Sequence, residues 1–514
     1  MPRRLYLTVI CIAILLTASC TRNAPGARPW RVPTNSDQAG QVQAQTPFQP
    51  ELTGTPPPTQ IIARGPGEPV ETPTPDPPHP IPTLRADADQ YIVQPNDTLG
   101  IIAQRYGIDL NSLITANSIA NPNYLEVGQL LIIPPANPAP SGDPFKIIPD
   151  SELVYGPASA ALDLDRFIQE KNGYLNQYYE ELEWTYSGAQ IVRRVAQEYS
   201  VNPRLLLAVL EYQSGWVTQS NPAAETLDYP LGYADPRYKG LYLQLSWAAN
   251  QLNYGFYAWR VNGIGSWVLA DGTVVPASPT LNAGSAGVLR LFGMLLGRAD
   301  WDRATGPDGL IATFTQLFGY PFDYAIEPLI PPDLQQPVMQ LPFEPGEVWS
   351  YTGGPHGGWA SGSGWAAVDF APPGEALGCV PNDAWVTAVA DGLIVRSGNG
   401  AVVQDLDGDG LEQTGWSVLY MHIETRDRVQ PGTYLKAGDR IGHPSCEGGI
   451  STGTHLHLAR RYNGEWIPAD GPLPFNLDGW ISRGDGSEYD GFLVKDGITV
   501  EAWVGRRPEN AISR

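Results

Sequence analysis

The spacing of apolar positions changes along this chain and divides it into segments. Between residues 89 and 135 a short alternation, Tyr91 to Val93, predicts a strand. Leu99, Ile102, Ala103 and Tyr106 then share one side of a helix that Asp97 or Thr98 can cap. Leu110, Leu113 and Ile114 mark a second short helix, and "QLLIIP" closes the segment as a strand. From 151 to about 335 the spacing is helical: Ile191, Val192, Val195, Ala196 and Tyr199 fall on one face. Asn202 caps the next helix, and Pro203 sits in its first turn. "GLYLQLSWAANQLNYGFYAW" and "AGSAGVLRLFGMLLGRADW" continue the helical pattern with aromatic and small apolar residues. After 336 the chain reads as β-structure, through "WVTAVADGLIVRS" with an Asp391-Gly392 turn, "GAVVQDL" and "GWSVLYMHI". The tail after 475, with "GWISRGDGSEYDGFLV", adds turns and strands to the same domain. The fold class expected is multidomain: a small βααβ module, a mostly α-helical middle domain and a C-terminal all-β domain with an antiparallel sheet.

The start of the chain bears on its compartment. Pro2-Arg3-Arg4 is basic, and the 12 residues from Leu5 to Leu16 form an apolar run. That run is too short for a bilayer span of roughly 20 residues and suits a secretory signal. "TASC" follows and resembles the lipobox of bacterial lipoproteins, which implies a signal over 1–19 and lipidation of Cys20. An ordinary cleaved signal is the alternative. Residues 20–88, with "TGTPPPTQ" and "ETPTPDPPHPIPT", lack apolar periodicity and read as a disordered tether. At about 3.1 Å per residue this arm reaches up to roughly 200 Å. In an oxidising compartment the remaining cysteines, Cys379 and Cys446, are expected to form a disulfide. A formal charge of −22, from 54 acidic against 32 basic residues, sets aside nucleic acid as a partner.

Residues 89–135 resemble a LysM module, which implies binding to the glycan of peptidoglycan or chitin between the Pro95–Leu99 and Asn117–Leu125 loops. A linker over 136–150 joins it to the middle domain, 151–335. There, Ile191 to Trp216 resembles the opening of lysozyme-like lytic transglycosylases, in which a helix ends in a Glu-Ser pair carrying the catalytic acid. This chain has Gln213-Ser214 at that place. An amide has no proton to give a leaving glycosidic oxygen, and Glu211 two residues earlier faces elsewhere on a helix. The middle domain is therefore expected to be non-catalytic, a glycan-binding or spacing element.

Five of the six histidines lie after residue 355, and none falls between His79 and His356. "GGPHGGW" carries His356, "SGWAAVDFAPPG" Asp369, "LYMHI" His422, and "STGTHLHLARR" both His455 and His457. On a strand, positions two apart share a face, so His455 and His457 make an imidazole patch with Leu456 and Leu458 behind it. In these motifs the domain from 336 to 514 resembles the LytM/lysostaphin-type zinc endopeptidases, which cut the peptide bridges of peptidoglycan. The resemblance implies zinc on His356, Asp369 and His457, with His455 and His422 as catalytic residues. Three protein ligands leave a position for water, whose pKa the metal lowers. His356 and Asp369 are 13 positions apart, wider than is usual in the family, so the Gly/Ser-rich "GGWASGSGWAA" has to loop back to one metal. His443 has no family counterpart and reads as a loop residue. "DLDGDGLEQTGW" is a candidate calcium loop through Asp405, Asp407 and Asp409, or else a hairpin turn with stacked carboxylates, since its twelfth position is Trp416. The function expected is a lipid-anchored, exported hydrolase of peptidoglycan cross-links facing the cell wall. The alternatives are a non-enzymatic activator of cell-wall amidases, and a muramidase acting through the middle domain.

Overall fold

The structure, a computed structural model, describes residues 76–81 and 87–514 apart from 96, 123 and 136–141. The expected signal, Cys20 and the proline arm up to 75 lie outside the described residues. Among the described residues no helix is long and apolar enough to cross a membrane.

The first module is βααβ: β1 (Asp89–Ile92), α1 (Leu99–Tyr106), α2 (Leu110–Ala116) and β2 (Leu130–Ile133). β1 and β2 pair antiparallel, Tyr91 opposite Leu131. Thr98 caps α1 by accepting from the Ile101 amide. Asp97 instead accepts from the Tyr91 hydroxyl and the Gln94 amide, which fixes the turn before the helix. Leu99, Ile102, Leu113, Leu131 and Ile133 close a small core.

The middle domain runs α3 (Leu164–Lys171), α4 (Tyr174–Gln177), the hairpin β3 (Tyr179–Glu181)–β4 (Thr185–Ser187), α5 (Gly188–Tyr199) and α6 (Pro203–Ser214). It continues through α7 (Leu241–Arg260), the hairpin β5 (Ser266–Val268)–β6 (Val274–Pro276), α8 (Ala283–Leu295), α9 (Arg298–Thr305) and α10 (Leu310–Phe318). Ser187 and Gln190 form a capping box at the start of α5, and Asn202 with Pro203 starts α6. The end of the proline-rich stretch is not free of this domain. His79 stacks on Trp259 with ring centroids 4.7 Å apart and donates its amide to the Pro279 carbonyl at 2.7 Å. Asp76 pairs with Lys146 at 2.9 Å.

The C-terminal domain contains β7 (Val348–His356), β8 (Ala367–Ala371), β9 (Val386–Thr387), β10 (Gly392–Gly398), β11 (Ala401–Asp405) and β12 (Trp416–Met421). β13 (Tyr434–Leu435), β14 (Arg440–Gly442), β15 (Leu456–Tyr462) and β16 (Glu465–Trp466) follow. The tail supplies β17 (Asn476–Leu477), β18 (Trp480–Arg483), β19 (Phe492–Lys495), β20 (Ile498–Glu501) and β21 (Ala511–Ser513). The main antiparallel sheet has the order β13-β10-β11-β12-β15-β8-β7-β21, with β16 on β15. The Asp391-Gly392 step does not close a hairpin. Asp391 accepts from the Ala437 amide and pairs with Lys436, which draws β10 onto β13, while β9 pairs with β14. The tight turn falls instead at Asn399-Gly400, between β10 and β11.

Alternation along the central strands fills two cores. Val368, Phe370, Val418, Tyr420, Leu456 and Leu458 face the domain's own interior. Ala367, Ala401, Val403, Leu419, Met421 and Ala459 face the other way, into one continuous core with α5, α6, α7 and α8. The helical domain thus covers the second face of the sheet. Polar contacts pin this junction: Ser200 donates to the Gly464 carbonyl at 2.6 Å, and the Trp466 amide donates to the Tyr257 hydroxyl oxygen at 2.9 Å.

Candidate metal centre

Asp369 on β8 and His457 on β15 are directly opposed in register, on the sheet face turned toward the helices. His356 ends β7, where two irregularities in the pairing with β8 re-aim the strand. Gly353 stands opposite Asp369, and a Cβ there would lie 2.7 Å from Asp369 Oδ2. The carboxylate occupies the space that a side chain would fill.

Three donor atoms meet. Asp369 Oδ1 is 3.2 Å from His356 Nε2 and 3.2 Å from His457 Nδ1, and the two ring nitrogens are 2.9 Å apart. His356 Nδ1 donates to the Gly354 carbonyl at 2.8 Å, and His457 Nε2 donates to the Gly358 carbonyl at 3.1 Å. Each neutral imidazole has one N–H, so these bonds leave lone pairs on the two nitrogens that face each other. Asp369 Oδ1 is buried and accepts no well-formed hydrogen bond. Electron-rich atoms this close repel unless a shared proton or a metal cation lies among them. Ligands about 2.0–2.1 Å from a tetrahedral ion lie roughly 3.3 Å apart, so this N₂O set fits zinc.

Two more rings border the cluster. His422 follows β12 in a left-handed conformation, φ 65°, and donates Nδ1 to the Glu447 carbonyl at 2.9 Å. His455 donates Nδ1 to the Gly453 carbonyl at 2.8 Å, and its Nε2 lies 3.8 Å from Asp369 Oδ2. The His422 and His455 ring centroids are 4.4 Å apart. Burial opposes the charge on Asp369, but His356 and His455 outweigh it and hold the carboxyl well below the usual carboxylate range. Burial, then His455 and His457, pushes His422 well below the usual imidazole range, so it is neutral near pH 7. Burial also lowers His457. For His356, the pull of Asp369 more than reverses the effect of burial and leaves it raised.

Several supporting groups carry no motif in the sequence. The ring of Tyr489, from the tail between β18 and β19, stacks on His356 with centroids 4.2 Å apart. Its backbone carbonyl accepts from the Gly354 amide at 2.6 Å. Cys379 and Cys446 form a disulfide, which ties the loop before β9 to the segment whose Glu447 carbonyl holds His422. His443 lies apart from the cluster: Nδ1 donates to the Ala384 carbonyl at 3.0 Å and the ring packs on Trp385.

The other candidate groups are engaged in local structure. Asp405, Asp407 and Asp409 lie within 4.8 Å of one another. Asp405 accepts from the amides of Asp407, Gly408 and Gly410, and Asp409 accepts from Leu411 and Thr414. Burial and Asp407 push the Asp405 carboxyl up to about 7. In the helical domain, Glu211 accepts from the Val217 and Thr218 amides and from the Thr218 hydroxyl, while Gln213 donates to the Leu231 carbonyl. Glu211 holds the turn after α6, and Gln213 ties the end of that helix to the loop before α7.

Comparisons with known proteins agree with this layout. The description "LysM domain" matches residues 91–134, "LasA, N-terminal domain" matches 146–332, and "Peptidase family M23" matches 372–468. The last match contains His422, His455 and His457 and begins after His356 and Asp369. Protease LasA of Pseudomonas aeruginosa is 28% identical over 350 residues, covering 63% of this chain and 75% of that protein. Beta-lytic metalloendopeptidase of Lysobacter enzymogenes is 27% identical over 167 residues, 31% of this chain and 90% of that protein. Among solved structures, the M23 metalloprotease pseudoalterin, from the deep sea, is 24% identical with a TM-score of 0.28, covering 35% of this chain and 99% of that one. The helical segment thus carries the LasA N-terminal description, and the C-terminal segment is a metalloendopeptidase domain.

Proposed function

We propose that this chain is a zinc endopeptidase that hydrolyses the peptide cross-links of bacterial peptidoglycan. What carries the reading is the approach of His356 Nε2, Asp369 Oδ1 and His457 Nδ1 to within 2.9–3.2 Å, with each ring fixed through its other nitrogen by a backbone carbonyl. When bound by these residues, zinc supplies Lewis acidity toward a water and a peptide carbonyl. His455 is held with its proton on Nδ1, so Nε2 is the base that takes a proton from the attacking water and returns it to the leaving amine. His422, neutral with its proton on Nδ1 donated to the Glu447 carbonyl, presents Nε2 as an acceptor that takes a hydrogen bond from the same water and orients it. Tyr489 keeps the His356 ring in plane by stacking on it.

In this reading the LysM domain holds glycan strands close to the peptidase, and lipid on Cys20 keeps the exported protein at the membrane. The Asp405–Asp409 loop is held by its own amides, and we assign calcium no part in the reaction. The test is direct. Purified protein should contain about one zinc per chain, and His457→Ala should lose both the metal and wall lysis. Products should carry new amino and carboxyl ends on stem peptides. Reducing or anhydro-sugar ends would instead put the activity in the helical domain, and lysis that survives His457→Ala would end the proposal.

A further inference from the structure

The seam between the LysM domain and the helical domain holds a cavity of about 340 Å³, within the size of small-molecule sites. One wall is the last turn of α1, with Arg105 and Tyr106. The other is formed by Tyr254 of α7, Ser266 and Trp267 of β5 and Arg290 of α8. The walls meet beside Gly107, where a Cβ would lie 3.8 Å from Ser266 Oγ. This is the opposite end of the eight-residue α1 from the Pro95–Leu99 loop, about 12 Å along the helix. The cavity is therefore separate from the loops expected to hold glycan.

Its charge is unusual for a chain with a formal balance of −22. Two arginines line it and, among the described residues, no acid does. Arg105 is engaged, with Asp97 at 3.6 Å and with the Tyr91 hydroxyl oxygen, to which it donates at 2.6 Å. Arg290 differs. Arg194 and Arg204, buried elsewhere in the same domain, are paired with Glu183, Glu198 and Glu152. Arg290 donates Nε to Gln251 Oε1 at 3.1 Å and lies 4.7 Å from the Tyr254 ring centroid, and among the described residues no carboxylate faces it. Burial pushes its guanidinium below the ordinary value, and only Tyr254 pulls the other way. The Gln251 bond and the Tyr254 ring hold the group in place, while its two terminal nitrogens stay unclaimed. Such a fork matches the two oxygens of a carboxylate. Tyr254 is 46% exposed and offers a ring surface, and the Ser266 hydroxyl can bond a polar group.

We propose that this seam cavity binds a sugar carrying a free carboxylate, with the acid held by Arg290 and the sugar ring laid on Tyr254. The site involves neither zinc nor hydrolysis, so it stands or falls apart from the endopeptidase reading. Three probes would be titrated calorimetrically into the full chain: N-acetylmuramic acid, N-acetylglucosamine and D-lactate. The second has the same sugar ring without the acid arm, and the third is the acid arm alone. The sugar acid should bind about tenfold more tightly than either of the others. Arg290→Gln should erase its advantage over N-acetylglucosamine and leave N-acetylglucosamine itself unchanged. Tyr254→Ala, at an exposed position that folding tolerates, should erase its advantage over D-lactate, and it decides the matter should Arg290→Gln fail to fold. An acid that coordinated zinc instead would keep its advantage in Arg290→Gln, which would overturn the site. Equal affinity for the two sugars, or no binding of the sugar acid at millimolar concentration, would do the same. D-lactate bound as tightly as the sugar acid, or a sugar acid indifferent to Tyr254→Ala, would refute recognition of the sugar.

Discussion

Position 353 shows how finely the centre is set at the scale of single residues. A Cβ there would sit 2.7 Å from Asp369 Oδ2, so a side chain at 353 and the carboxylate compete for one space between two strands. Gly353→Ala should therefore tilt Asp369 away from the rings, lowering zinc affinity by about 10–100-fold at a stability cost of about 1–3 kcal/mol. Competition with a chromogenic chelator checks the first figure, and urea denaturation of the metal-free protein the second. Retained affinity would show that Asp369 can shift without loss. The histidines were legible in the sequence because they are few, clustered, and spaced by two on a strand. Tyr489 and the carbonyls of Gly354, Gly358, Glu447 and Gly453 were not. Their roles come from chain segments that meet only in the folded sheet, and a backbone carbonyl leaves no mark on residue identity.

At the scale of elements, β16 illustrates what a pattern of apolar positions leaves out. Two residues long, it places Glu465 in the junction with the helical domain, facing Arg260 at 3.2 Å. Burial raises this carboxyl to about 7, against the pull of Arg260. The native state then holds a proton that the unfolded chain has released, so this group's contribution to stability falls as pH rises from about 4.5 to about 7. The amount is roughly 3 kcal/mol for a shift of this size. Glu465→Gln should gain on the parent between pH 5 and pH 8 in thermal melts, and a pH-independent difference would contradict the assignment. The helices and the alternating strands could be read from periodicity, since each signal is local. The placement of the Asp391-Gly392 step could not, because Lys436 and Ala437 draw it to a strand some 45 positions away.

At the scale of the molecule, the helical and peptidase domains share one apolar core, so they should melt as a unit. Calorimetry should show a single transition for both, and two resolved transitions would refute the shared core. Trp466, fully buried at the junction against Gly358, should cost about 3–5 kcal/mol when replaced by alanine and lower that common transition. The LysM domain stands in another relation to this body. The chain leaves the helical domain's surface at His79 and Ile81, passes through the module and comes back at Phe145 and Lys146. The module is therefore flanked on both sides by chain packed on the helical domain, and it also lies close to that domain itself, Leu110 beside Gly272 and Gly107 beside Ser266. Under the function proposed above, a glycan held by that module would stay beside the helical domain, and its stem peptides would meet the peptidase at high local concentration.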